Sequence, residues 1–233
     1  MAVNSELYKE IAAELNERNV TLVAVSKTKS VEEILELYEL GQRDFGENYV
    51  QELKEKYEQL PKDIRWHFIG HLQSNKVKLI APFVFLIHGV DSLKLLKEIN
   101  KEAKKSNKVI DCLLQLYIAK EETKFGLNEE ELKAIVEAIS QTHSEEERSF
   151  KNITIKGLMG MASFTDDEQT VRNEFKFLKS IFEKYSSIST FNFQLSIISM
   201  GMSADYKMAI EEGSNMVRIG SLLFGKRVST HQK

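Results

Sequence analysis

Residues 21–48, TLVAVSKTKSVEEILELYELGQRDFGEN, hold the pattern that decides the fold. An apolar run, TLVAVS (21–26), stops at two lysines one residue apart; VEEILELYELG then spaces its apolar residues at i, i+3 and i+4, and a second short run, RDFGEN (43–48), follows. The outer pieces read as strands and the middle as an amphipathic helix. Strands bridged by a helix pair in parallel, because parallel neighbours cannot be joined by a tight hairpin.

The unit recurs. Further apolar runs lie at WHFIGH (66–71), FVFLIHGV (83–90), VIDCLLQLYI (109–118), ITIKGLMGMA (153–162), FQLSIISMG (193–201) and MVRIGSLLFG (216–225). Helical segments such as SLKLLKEINKEAKKSN, NEEELKAIVEAISQT, DEQTVRNEFKFLKSIFEKYS and ADYKMAIEEG separate them. Eight strands in alternation with helices predict the α/β class and a closed (β/α)8 TIM barrel rather than an open sheet. The 233 residues are close to the ~250 typical of that fold. The opening MAVNSELYKEIAAELNER predicts an extra N-terminal helix over 4–18. Only Pro61 and Pro82 interrupt the chain and no Gly/Ser-rich linker divides it, so a single domain over 1–233 is expected. THSEEERSFKN (142–152) reads as a long polar loop.

Composition removes several classes of function. A net charge of −3, with lysines and glutamates interspersed, gives solvated helix faces rather than a basic stripe, so no nucleic-acid partner is expected. Cys112 is the only cysteine, which leaves no disulfide and no cysteine cluster for a metal and fits a reducing compartment. No stretch approaches the ~20 apolar residues of a membrane span and the N-terminus has no apolar signal core. The expected location is cytoplasmic, with no membrane partner. GSLLFGK (220–226) has the spacing of a phosphate-cradling loop, but Arg227 stands where a magnesium-binding Ser or Thr is needed. His67 and His71 are four apart, yet Phe68 replaces the glutamate of a zinc protease and the segment reads as a strand end, so no metal site is expected. No G-x-S-x-G elbow is present, and no G-x-G-x-x-G follows the first strand.

In a closed barrel the active face is built by the loops that follow the strands. Residues with chemistry gather there: Lys27 after the first run, Asn48 after the second, His67 to Gln73 around the third, Met159 and Met161 on the sixth, Ser199, Met200 and Gly201 after the seventh, and Arg218, Gly220 and Ser221 on the eighth. Small residues between a strand and a helix start, as in IISMGMSAD, leave backbone N–H groups that can hold a phosphate. VRIGS supplies a second such turn next door, and barrel phosphate sites are frequently made by the loops after strands 7 and 8.

VSKTK, FGENYVQE, WHFIGHLQSNK, KEETKFG, GLMGMA, SMGMSADYKMAI and VRIGSLLFGKR, which span residues 23 to 227 in order, resemble the pyridoxal phosphate homeostasis protein family. The barrel of that family is similar to the N-terminal domain of alanine racemase, a fold type III pyridoxal phosphate protein. The resemblance implies pyridoxal 5'-phosphate as cofactor, a Schiff base at Lys27, and Arg218 against the pyridine nitrogen. It also implies a role in cofactor homeostasis and supply and in amino-acid balance. Asn48 is a candidate for the ring or its hydroxyl, or else satisfies a turn; Met159 and Met161 read as core, with one of them a candidate for the ring face. His67 reads as a hydrogen-bonded support, and Lys29 as the solvated lysine. Ser30, Tyr117 and Asn215 depart from the family's pattern.

Racemisation needs two bases, one on each face of the substrate carbon. Lys27 supplies one, and the opposing tyrosine that alanine racemase brings from a second domain is expected to be missing, since the chain ends soon after the last strand. The expected protein is a monomeric carrier rather than an enzyme, with apo forms of pyridoxal phosphate enzymes as recipients. The alternatives are a racemase with Tyr49 or Tyr117 as second base, and a phosphosugar-type barrel enzyme that needs no pyridoxal phosphate.

Overall fold

The computed structural model describes residues 3–119, 125–140, 150–190 and 192–225. Its barrel strands are β1 (Thr21–Val25), β2 (Asp44–Glu47), β3 (Arg65–Phe68), β4 (Leu86–Val90), β5 (Ile110–Gln115), β6 (Ile153–Met159), β8 (Phe193–Met202) and β9 (Met216–Ile219). Neighbours pair in parallel in the order β6-β5-β4-β3-β2-β1-β9-β8, and β6 pairs back to β8, so the expected eight-stranded barrel closes. A two-residue strand the sequence did not suggest, β7 (Ser189–Thr190), adds to β8 antiparallel. Residues 142–149 of the polar stretch, 120–124 of KEETKFG and 226–227 of the last block lie outside the described residues.

The expected N-terminal helix is α1 (Ser5–Glu17), started by Asn4, whose side chain accepts from the Leu7 amide. It buries Tyr8, Ile11 and Leu15, a 3–4 residue spacing that puts them on one face. Ser30 opens α2 (Val31–Glu39) with a capping box: its hydroxyl accepts from the Glu33 amide while the Glu33 carboxylate accepts from the Ser30 amide. The departure from the family's usual proline therefore supplies a helix start of its own. The longest helix, α7 (Glu168–Ser186), buries Val171, Phe175, Leu178, Ile181 and Tyr185 along one face against the wall.

Side chains alternate across each strand, and this sorts the core into two clusters. Between the wall and the helices lies the larger one, with Phe45, Trp66, Phe68, Phe175, Phe193 and Phe224 among its members. Val23, Leu86, Leu113, Met159 and Met216 form a smaller cluster from five strands, the packing that fills a small barrel. Alternation gives Met159 and Met200 to packing: Met159 joins the smaller cluster, and Met200 joins the larger one, on the face opposite Ser199.

The closing seam is tight at Gly157, where an added Cβ would lie 1.8 Å from the backbone oxygen of Ile197 on the facing strand. Gly157→Ala has to push β6 and β8 apart. We expect it to lower unfolding stability by more than about 3 kcal/mol in urea; a loss under about 1 kcal/mol would show that the seam has slack there.

Candidate functional site

At the C-terminal ends of the strands the loops enclose a cavity of about 450 Å³, within the range of small-molecule sites. Lys27 follows β1, Asn48 follows β2, Ile69 follows β3, and Met161 and Ala162 follow β6; Ser203, Gly220 and Ser221 come from the turns after β8 and β9, and Arg218 from β9 itself. Of the candidate residues, Lys27, Asn48, Arg218, Gly220 and Ser221 line this cavity, and Met159, Ser199, Met200 and Gly201 do not. Met161, two residues beyond Met159, is the methionine that reaches it.

Lys27 stands on a turn held from three sides. The Lys29 amide donates to the Ser26 carbonyl at 3.0 Å, closing the four residues 26–29. Thr28, the third of them, has φ +64°, which a type II turn requires and a β-branched residue resists. Its amide donates to Glu52 Oε1 at 2.5 Å. Below it, Lys56 of α3 (Val50–Gln59) is buried and donates to the Ser26 carbonyl at 2.7 Å, to Glu47 Oε1 at 2.8 Å and to Glu52 Oε1 at 2.7 Å. The Ser26 hydroxyl donates to the same Glu47 oxygen at 2.6 Å. The other oxygen, Glu47 Oε2, has no partner among the described residues. Burial pushes the Glu47 carboxyl up to about 7 against the opposing pull of the Lys56 charge. Such a platform fixes the backbone from which Lys27 enters the cavity.

Lys29, expected in solvent, is instead tied down. Its amine donates to Glu33 Oε1 at 3.1 Å and to the Phe224 carbonyl at 2.7 Å. That carbonyl ends the short helix α9 (Ser221–Phe224), where helix carbonyls lack partners of their own.

Arg218 is almost wholly buried, yet one edge reaches the cavity. Its guanidinium donates to Ser199 Oγ at 2.6 Å and to the Gly160 carbonyl at 3.1 Å. Burial lowers it to about 10, with the Asp205 carboxylate opposing, so it keeps its charge at neutral pH. Behind Ser199 the polar contacts continue: Ser199 Oγ lies 3.3 Å from His88 Nδ1, His88 Nε2 lies 2.9 Å from His67 Nδ1, and His67 Nε2 lies 2.9 Å from Asp44 Oδ1. Arg65 grips Asp44 at the far end with two hydrogen bonds, of 2.7 and 2.5 Å. The expectation that His67 is a hydrogen-bonded support is met.

The turn after β8 sits later in the chain than SMG suggests. β8 runs on to Met202, and its pairing with β9 slips between Ser199↔Met216 and Met202↔Arg218, three steps on one strand against two on the other. Gly201, at φ +95°, is the residue that allows this bulge. The turn itself is Met202–Asp205, closed by Asp205 N–H to the Met202 carbonyl at 3.1 Å. The Gly220 amide donates to Ser203 Oγ at 3.2 Å, which joins this turn to the one after β9. The amides of Ser203, Ala204, Ser221 and Leu222 make no backbone hydrogen bond among the described residues. Asn215, another departure from the family pattern, pins β8 by accepting from the Ile198 amide at 2.8 Å and donating to the Ser196 carbonyl at 2.7 Å.

Neither tyrosine considered as a second base lines the cavity. Tyr49 precedes α3, is 58% exposed and borders a neighbouring groove with His71 and Lys76. Tyr117 follows β5, where its amide donates to the Leu127 carbonyl. Among the described residues no group of three or more His, Cys, Asp or Glu side chains is arranged to hold a metal, and no helix is long and apolar enough to cross a membrane.

The family model described as alanine racemase, N-terminal domain, matches residues 5–228. A pyridoxal phosphate homeostasis protein of Aquifex aeolicus is 41% identical over 88% of this chain and 86% of its own length. The human protein of the same name is 40% identical over 97% of this chain and 84% of its own. The chain belongs to the pyridoxal phosphate homeostasis protein family. Among solved structures of similar proteins, PipY of Synechococcus elongatus with PLP bound superposes with a TM-score of 0.80 at 32% identity, covering 93% of this chain and 99% of that one. An alanine racemase of Clostridium difficile shares the fold at 16% identity and a TM-score of 0.73, over 98% of this chain and 59% of its own.

Sequence reading missed Asp44, Glu47, Lys56 and His88 as parts of this site, and took Ser203 only as part of the stretch IISMGMSAD. A signal existed for His88, a polar residue inside the apolar run FVFLIHGV, and for Asp44 and Glu47, acids within a strand. Lys56 carried none, because its helix is rich in charges and which of them is buried depends on the tertiary contact.

Two outcomes follow from the platform under Lys27. Lys56→Met leaves Glu47 buried without its cation and should cost about 3–5 kcal/mol in urea unfolding. Adding Glu47→Leu should recover most of that; a double variant no more stable than the single would contradict the pairing. The raised Glu47 carboxyl keeps its proton in the folded chain between its unfolded value of 4.5 and about 7. Stability should therefore fall as pH rises through that window, by up to ~3 kcal/mol relative to Glu47→Gln. Parallel pH profiles for the two proteins would contradict it.

Proposed function

We propose that this protein holds pyridoxal 5'-phosphate in the mouth of its barrel, joined to Lys27, and serves in the handling and supply of the cofactor and in amino-acid balance without a dedicated reaction of its own. One observation carries the reading: an amine, a guanidinium with unspent N–H groups and two turns with open amides line a single cavity of about 450 Å³. That donor set fits the group. When bound, the cofactor supplies an aldehyde that condenses with a primary amine and a ring that can draw electrons from the carbon attached there.

The chain's own residues divide the work. Lys27 offers the amine from a fixed turn. The amides of Ser203, Ala204, Ser221 and Leu222, with the Ser203 and Ser221 hydroxyls, can receive the phosphate oxygens. Val25, Ile69 and Met161 give apolar surface for a ring, and Asn48 borders it. Arg218 can only donate, so a ring nitrogen facing it stays unprotonated. An unprotonated ring is a weak electron sink, which suits holding the cofactor over turning over amino acids. The names of the relatives support the homeostasis role. On the same reading the protein is a cytoplasmic, single-domain monomer whose recipients are apo forms of pyridoxal phosphate enzymes. Neither tyrosine weighed as a racemase base borders the cavity, so no observation favours that alternative.

Borohydride reduction of the protein mixed with pyridoxal phosphate, followed by peptide mapping, should find one pyridoxyl phosphate, on Lys27. Lys27→Ala should lose the long-wavelength absorption of the mixture and keep its fold by circular dichroism. An adduct mapped mainly to Lys29 or Lys76, or no adduct, would overturn the assignment.

A further inference from the structure

The polar side chains that cross the barrel have only one consistent arrangement of protons. A guanidinium can only donate, so Ser199 Oγ accepts from Arg218 at 2.6 Å. The Ser199 proton then needs an acceptor, and its remaining neighbour is His88 Nδ1 at 3.3 Å. With Nδ1 bare, a neutral His88 carries its proton on Nε2 and donates to His67 Nδ1 at 2.9 Å. His67 in turn carries its proton on Nε2 and donates to Asp44 Oδ1 at 2.9 Å. The reverse arrangement would have both Arg218 and His88 donating to Ser199, leaving that fully buried hydroxyl proton with nowhere to go.

We infer that His67 and His88 are positioning residues for Arg218: they complete one proton-ordered chain, Arg218→Ser199→His88→His67→Asp44, that runs from the mouth of the barrel to its floor and fixes the guanidinium at the cavity edge. Each bond aligns with the next, from a cation at one end to a carboxylate at the other, so the bonds polarise one another. The ends are anchored. Arg65 clamps Asp44, and although burial raises that carboxyl, the hydrogen bonds from Arg65 and His67 outweigh it and leave it below its usual value. Among the described residues the charged and titratable groups facing the two imidazoles are Arg218, Asp44 and Arg65, with the Asp205 charge acting on Arg218. Apolar contact completes the lining, with the Phe85 ring 5.5 Å from that of His67. Burial, with the positive charge of Arg218, holds His88 well below its usual value, consistent with the neutral ring the order demands. The Ser199–His88 contact is the longest link, so it is where the chain breaks first.

The effect on a bound cofactor rests on the function proposed above, whereas the proton order does not, and the test separates them. In the protein without cofactor, ring-nitrogen NMR of histidine labelled with nitrogen-15 should find His88 neutral at neutral pH with its proton on Nε2, donated to His67 Nδ1. A proton on His88 Nδ1, or a cationic His88, would overturn the chain whether or not pyridoxal phosphate binds. With pyridoxal phosphate added, His88→Phe should bind about tenfold more weakly, the worth of one hydrogen bond to a charged group, and should shift the absorption of the bound form. His88→Asn, whose Oδ1 can replace Nδ1 as acceptor for Ser199, should recover most of both. If His88→Phe does not fold, Ser199→Ala carries the same expectation. Wild-type affinity and spectrum in the folded His88→Phe or Ser199→Ala protein would show that the histidines do not position Arg218.

Discussion

A guanidinium that cannot give up its proton is walled into the mouth of this barrel, and both of its side-chain hydrogen bonds end on neutral oxygens. Burying such a charge is costly unless polar groups surround it. The barrel meets that constraint by giving interior positions on five strands to Asp44, His67, His88, Ser199 and Arg218 in place of the apolar residues that fill most small barrels. The cost is spread across a connected network, and Arg218 keeps an edge on the cavity. A hydrophobic residue at Arg218 would pack more simply and would leave the cavity without its central donor.

The other half of the site is built on the outside of the wall. Glu47 precedes Asn48 on β2, and its carboxylate turns toward α3, where Lys56 reaches it. Through the Ser26 carbonyl, Lys56 also fixes the turn that presents Lys27. Lys27 and Arg218 thus answer to two separate buried polar groups, one under the helices and one inside the barrel. Their relative placement depends on the register between β1 and β9, which pairs Val23 with Arg218. A one-residue slip there would turn Arg218 out of the interior.

The architecture was legible because periodicity carries it: period two in the short runs and a 3–4 residue spacing between them predict parallel strands and crossover helices wherever the chain is cut. The placing of Lys27, Arg218, Gly220 and Ser221 at strand ends was legible for the same reason. What escaped depends on register and tertiary contact. Ser199 and Met200 were read as part of a turn, but the bulge at Gly201 carries β8 two residues further and moves the open amides to Ser203 and Ala204. Met159 and Met161 share a strand face by number, yet β6 ends between them, so one is core and the other reaches the cavity. Lys29 looked like the solvated partner of Lys27 and instead ties α9 to α2, a contact between residues 195 apart in sequence.

The central proposal is that Arg218 faces the ring nitrogen of pyridoxal phosphate held at Lys27. The most direct measurement is the nitrogen-15 NMR spectrum of the protein loaded with cofactor labelled at that ring nitrogen, followed from mildly acidic to alkaline pH. An unprotonated nitrogen that accepts a hydrogen bond throughout is expected, with a marked change in its shift in Arg218→Gln. A nitrogen that is protonated at neutral pH, or one whose signal is indifferent to the loss of Arg218, would contradict it.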